Sequence, residues 1–131
     1  MRPSSVVRVL LTSARLVGFG AALCAFVLWV VLFVSEARAL EQDFGITPAT
    51  LVQDAILAAL ALVAAWASLR PAPLVLVAIS VISFVPVGFY LMLLGDYGTW
   101  IGVCNLLWLA AGVLMAVCGR LARAESRDAV G

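Results

Sequence analysis

The sequence predicts an all-α integral membrane protein: a four-helix bundle of up-down-up-down order with N- and C-termini cytoplasmic. Three observations lead there. Hydrophobic residues make up 66% of the 131 residues and charged residues 11%, against roughly 45–50% and 25% in soluble domains. The stretch 71–119 holds a single charged side chain, Asp96. Four apolar runs, at about 16–35, 48–69, 74–94 and 99–118, contain between 20 and 22 residues each. At about 1.5 Å per residue each makes a helix of roughly 30 Å, the depth of a bilayer's hydrocarbon core. The whole chain, 1–131, forms a single transmembrane domain on this pattern.

Residues 1–15 form an amphipathic prelude with Arg2, Arg8 and Arg15, and 16–35 is the first span. Behind it, Ala37-Arg38-Ala39 has the A-x-A form of a signal-peptidase site, so cleavage after Ala39 is one outcome. The apolar run exceeds the 7–15 residues usual for such signals. Trp29 and Phe33 also sit near its far end, as interfacial anchors do. Retention as a membrane helix is the expectation adopted. Residues 36–47 make an outer loop with a partial helical turn, carrying Glu36, Arg38, Glu41 and Asp43.

Thr47-Pro48 is a helix start, a hydroxyl N-cap followed by proline at the first helical position. It opens the second span, which Arg70-Pro71-Ala72-Pro73 closes, because two prolines in four residues cannot continue a helix. The third span, 74–94, carries Ser83-Phe84-Val85-Pro86-Val87-Gly88 at mid-membrane. Pro86 frees the carbonyl of Ile82, and Gly88 loosens the helix beside it. These two residues are the hinge candidates, although proline is also frequent in rigid transmembrane helices and a static kink is the preferred reading. Gly95-Asp96-Tyr97-Gly98 makes a tight polar turn into the fourth span. A polar cytoplasmic tail, 119–131, follows and is expected to fray.

Arginine counts set the orientation. The prelude, the Arg70 turn and the tail hold seven arginines on one side, and Arg38 stands alone on the other. Short arginine-rich loops stay cytoplasmic. This places the protein in the cell (inner or plasma) membrane as a multi-pass protein. All eight basic residues are arginine, which with abundant alanine suggests a bacterial source and hence the bacterial inner membrane.

Lipid supplies little hydrophobic force between helices, so close packing of small residues must hold them. Small residues recur at spacings of four and three on the second span (Asp54, Ala58, Ala61, Ala65, Ser68). The fourth span repeats the pattern with Gly98, Gly102, Asn105, Gly112, Ala116 and Gly119, interrupted once by Leu109. The first shows a shorter version in Ala14, Gly18, Ala21 and Ala25. The period implies left-handed packing near +20°. It predicts that the second and fourth helices meet through these faces, with a second protomer or another protein as the alternative occupant.

Asp54 lies about 9 Å inside its helix, on the small-residue face. An acidic group in a membrane is costly and defaults to a functional hypothesis, here a proton or cation site. The plainer alternative is a carboxylate near the headgroups, within reach of water or Arg38. Gln53, Tyr90 and Asn105 fall near the same predicted depth. The four together form the candidate polar cluster, a binding pocket or else a structural hydrogen-bond network. Trp29, Trp66, Tyr97 and Trp100 near span ends read as belt residues. Arg120, Arg123 and Arg127 share a helical face suited first to lipid phosphates and second to a partner.

Several chemistries are excluded. There is no histidine, which removes histidine-based haem, zinc or copper sites and a histidine base. Cys24, Cys104 and Cys118 lie in apolar spans with no C-x-x-C, and read as small apolar fillers. A net charge of +1 gives no case for nucleic acid. The chain lacks the first-helix glutamate of small multidrug transporters and the Gly-rich, Arg-Tyr signature of small fluoride channels. It also lacks the paired cysteines of quinone-linked disulfide oxidoreductases. The expectation is a non-enzymatic protein with no cofactor and no metal, acting as an accessory or interaction subunit. Its expected partners are the lipid bilayer and a second copy or another membrane protein. The alternative is a small oligomeric transporter or channel using the cluster around Asp54.

Overall fold

The computed structural model describes residues 5–41, 47–70 and 72–128. Arg2, Asp43 and Pro71, to which the sequence assigned roles, lie outside the described residues. The fold is all-helical. It comprises α1 (Ser5–Glu41), α2 (Pro48–Leu69), α3 (Pro73–Ser83), a π-helical turn (Phe84–Gly88), α4 (Phe89–Leu94) and α5 (Asp96–Asp128). Three stretches, Ser5–Glu41, Pro48–Leu69 and Tyr97–Ala124, are long and apolar enough to cross a membrane. Their outward faces carry large exposed apolar side chains, among them Val27, Val31, Ile56, Val63, Val113 and Val117. Such a surface fits lipid rather than water.

Two expectations about helix ends are corrected. The outer loop predicted from residue 36 is helical as far as Glu41, and the tail predicted to fray is helical to Asp128. Glu-Ala-Arg-Ala-Leu-Glu and Arg-Leu-Ala-Arg-Ala-Glu are strings of good helix formers, and a charge alone does not end a helix. Arg38 and Arg127 occupy the last turns, where a cation offsets the negative end of the helix dipole. At 37 residues α1 is about 55 Å long, well beyond the bilayer's apolar depth.

The start of α2 at Pro48 matches the sequence pattern, with Thr47 extended at φ −102° and ψ 152°. The Thr47 hydroxyl does not cap a backbone amide, however. It pairs with the Thr50 hydroxyl at 3.2 Å, while the Thr50 N–H donates to the Thr47 carbonyl at 3.0 Å. At the other end the Arg70 N–H donates to the Trp66 carbonyl at 3.1 Å, and the guanidinium lies 5.0 Å from the Trp66 ring centre.

The segment between α3 and α4 shows how the chain absorbs Pro86. The Phe89 N–H donates to the carbonyl of Phe84, five residues back. A wider turn of this kind makes room where a proline ring would otherwise meet the carbonyl four residues earlier. The expected four-residue turn after α4 is also corrected. Gly95 alone links α4 to α5, at φ +81°, a conformation open to glycine and strained for other residues.

α1 packs on both α2 and α5. Gly18 faces α2 and α5 together: a Cβ there would fall 2.8 Å from the Ser68 hydroxyl oxygen and 3.3 Å from the Ala111 Cβ. Glu36 lies against Asp54 of α2, and the Cys24 and Cys104 thiols face each other between α1 and α5. These pairings make α1 antiparallel to both neighbours. The glycine face of α5 packs instead on α3 and α4. Gly98 abuts the Leu91 backbone, Gly102 lies against Met92 and Gly88, and Gly112 lies against Val77. The predicted pairing of the second and fourth helices is therefore corrected, since α2 and α5 barely meet. The small residues were real contact faces, but periodicity carries no information about which face meets which. Trp29, expected at the membrane surface, is 3% exposed and packs in the core with Trp108. Trp66, Tyr97 and Trp100 are exposed.

Cys24 and Cys104 give a direct check on this arrangement. Mild oxidation of the purified protein is expected to join them, so that one of the three free thiols remains for maleimide labelling after denaturation. Cys24→Ser should abolish the protection. Three reactive thiols after oxidation would show that the two sulfurs do not meet.

Candidate functional site

Asp54 is the most buried acidic residue among the described residues, at 2% exposed. It occupies the second turn of α2, and its side chain points at α1 because Asp54, Ala61, Ala65 and Ser68 share one buried face. Its neighbour there is Glu36, whose carboxyl lies within hydrogen-bonding reach. Glu36 reaches this point only because α1 continues through its polar end to Glu41. One oxygen on each carboxyl, Asp54 Oδ2 and Glu36 Oε2, is buried without a hydrogen-bond partner among the described residues.

Two carboxylates in contact repel each other unless a proton or a cation lies between them. The pair can therefore exchange a proton or hold a small cation with the help of water. It falls short of a calcium or magnesium cage, which needs six or more oxygen ligands. No group of three or more His, Cys, Asp or Glu side chains placed to hold a metal occurs among the described residues.

The other predicted members of the cluster lie elsewhere. Asn105 is 2% exposed on α5 and fits against Gly88, where an added Cβ would fall 2.6 Å from its Nδ2. Its neighbour Cys104 faces Cys24, which stands twelve positions before Glu36 on α1. At about 1.5 Å per residue, Asn105 is thus roughly 18 Å from Asp54 along the helix axis. Tyr90 is 61% exposed and Gln53 is exposed as well. The predicted cluster divides, and Asp54 keeps a partner the sequence had placed in a loop. Gly88 lies in the π-helical turn beside Asn105, so the hinge candidate doubles as a docking notch for that amide.

The sequence missed two further buried polar groups. The Ser83 hydroxyl and the Trp108 indole N–H are buried without hydrogen-bond partners among the described residues. Trp108 escaped notice because it sits mid-span, where tryptophan is read by default as apolar bulk.

No protein-family model, curated protein or solved structure matches this chain.

Replacing Asp54 separates a packed pair from a solvated carboxylate. Asp54→Asn gives Glu36 an amide donor in place of a like charge, and should leave thermal stability in detergent unchanged or raised. Asp54→Ala strands a half-buried Glu36 beside an apolar hole, and should cost about 1–3 kcal/mol, read as a lower unfolding midpoint. Equal losses in both variants would show that the carboxyls do not meet.

Proposed function

We propose that the chain is a non-catalytic, multi-pass protein of the cell membrane that acts as an accessory or interaction subunit. It would cross the bilayer four times in up-down-up-down order, with residues 73–94 as the third crossing and both termini cytoplasmic. A bacterial inner membrane fits its arginine-only, alanine-rich composition. One observation supports this above others: the small-residue faces close on one another within a single chain. Gly18 is spent on Ser68 and Ala111, and Gly98, Gly102 and Gly112 are spent on α3 and α4. A protein packed in this way has no need of further copies to satisfy its small faces. What it offers to neighbours is its lipid-facing apolar surface and its two polar ends.

Reporter fusions should place residue 131 and the prelude inside and residues 42–46 outside, and native mass spectrometry in mild detergent should show one copy, alone or with a different protein. Termini on opposite sides would overturn the four-crossing topology. A defined homo-oligomer would overturn the accessory role.

A second function has its own support in the Glu36–Asp54 pair, a small transporter or channel moving protons or monovalent cations. Its signature is flux in proteoliposomes that Asp54→Asn abolishes while the protein stays folded. Flux unchanged in that variant would remove the transporter from consideration.

A further inference from the structure

At the end of the molecule opposite the carboxyl pair, a groove of ≈ 490 Å³ runs between the start of α3 and the last turns of α5. Leu74 and Val75 form one wall, Met115 and Ala116 the other, and Arg120 and Arg123 close it at the polar end. Its floor is open at Gly119, where an added Cβ would meet nothing within 4 Å. A second concavity continues from the same two arginines to Arg127. Among the described residues, none of those lining either one is acidic.

The groove has two chemically distinct halves. Leu74 is 79% exposed, so the apolar half opens sideways onto whatever surrounds the helices. The basic half presents two guanidiniums one helical turn apart, a spacing that lets both reach a single phosphate. A guanidinium binds phosphate through paired N–H donors and does not lose its charge. A ligand filling both halves must carry an anionic phosphate joined directly to an apolar chain.

We propose that this groove binds one anionic phospholipid, with its phosphate on Arg120 and Arg123 and an acyl chain along Leu74, Val75, Met115 and Ala116. A free phosphate would leave the apolar walls unused, and an acidic peptide would have to bury polar backbone against them. The proposal rests on the reading of the chain as a membrane protein. Basic pockets between helices at the cytoplasmic surface are recurrent sites for acidic lipid headgroups.

The test is a titration of the purified full-length protein in neutral detergent, followed by native mass spectrometry. Detergent leaves both ends accessible, so the result does not depend on which way the chain crosses a membrane. Wild type should bind one phosphatidylglycerol at least tenfold more tightly than phosphatidylcholine of the same chains. Arg120→Gln with Arg123→Gln should weaken the phosphatidylglycerol complex by roughly thirtyfold, the effect of two arginines at a membrane surface. Arg38→Gln, in the last turn of α1 at the opposite end of the molecule, should leave it unchanged. Equal binding of the two lipids overturns the proposal, as does full retention of phosphatidylglycerol by the double variant. Displacement by millimolar inorganic phosphate would reduce the site to a simple anion contact, and a polypeptide held on the same arginines would replace the lipid with a protein partner; each overturns it. Should the double variant fail to fold, the wild-type preference decides: tenfold or more for phosphatidylglycerol supports the site, and no preference refutes it.

Discussion

Close approach of helix backbones at small residues is the constraint on which the rest of this structure depends. Burial away from water drives helices together in a soluble protein, but lipid is as apolar as leucine and offers no such force. Helices in lipid hold by dispersion and by contacts short enough to make it count. Gly18 is the point where this matters most, because it admits α2 and α5 to the same turn of α1. The surrounding core is made largely of alanine: Ala14, Ala21, Ala22 and Ala25 on α1 face Ala61, Ala64 and Ala65 on α2 and Ala111 on α5. Large side chains are left to fill what the close approach cannot, and Trp29 and Trp108 do so from within.

Close approach also dictates how polar groups are handled. Ser68 and Ser80 are buried, and each donates its hydroxyl to the carbonyl four residues earlier, at 2.8 Å. That contact satisfies the hydroxyl inside its own helix and asks nothing of a neighbour. Glu36 and Asp54 have no such local solution, because a carboxylate cannot donate to a carbonyl. They meet across the α1–α2 interface, where each helix leaves its apolar stretch. Asn105 shows a third arrangement. Its amide lies over Gly88 at the π-helical turn, with Nδ2 buried and without a hydrogen-bond partner among the described residues.

Much of this was legible in the sequence, and the gaps have definite physical causes. α2 was read to the residue, since Pro48 and the Arg70-Pro71 pair act on the backbone directly and no tertiary contact overrides them. The small-residue faces were also legible, and Ala14, Gly18, Ala21, Ala25, Ala61, Ala65, Gly102 and Gly112 are all buried. Their pairing was not. A face that packs on one neighbour has the same periodicity as a face that packs on another, and α5 in fact serves two. The ends of α1 and α5 were misjudged because hydropathy measures how much of a helix suits lipid, not how long the helix is. That error hid the partner of Asp54. Once Glu36 was assigned to a loop, the depth of Asp54 suggested Asn105, which belongs to a different level of the molecule.

The overhanging helix ends connect these observations to function. In the interior, the helix faces are occupied mainly by alanine, glycine and single large side chains, with isolated polar groups at Ser83, Asn105 and Trp108. Charged side chains gather where a helix outlasts the apolar layer, and α1 and α5 do so at opposite ends because they run antiparallel. The end of α1 brings a carboxyl to Asp54, and the end of α5 brings two guanidiniums to the mouth of the groove beside α3. One overhang is therefore acidic and the other basic, matching the charge asymmetry from which the orientation was argued. An anion at the basic end and a cation or proton at the acidic end are the ligands that electrostatics favours. Lengthening two helices past the bilayer gives a small, lumen-poor protein two places at which to bind something.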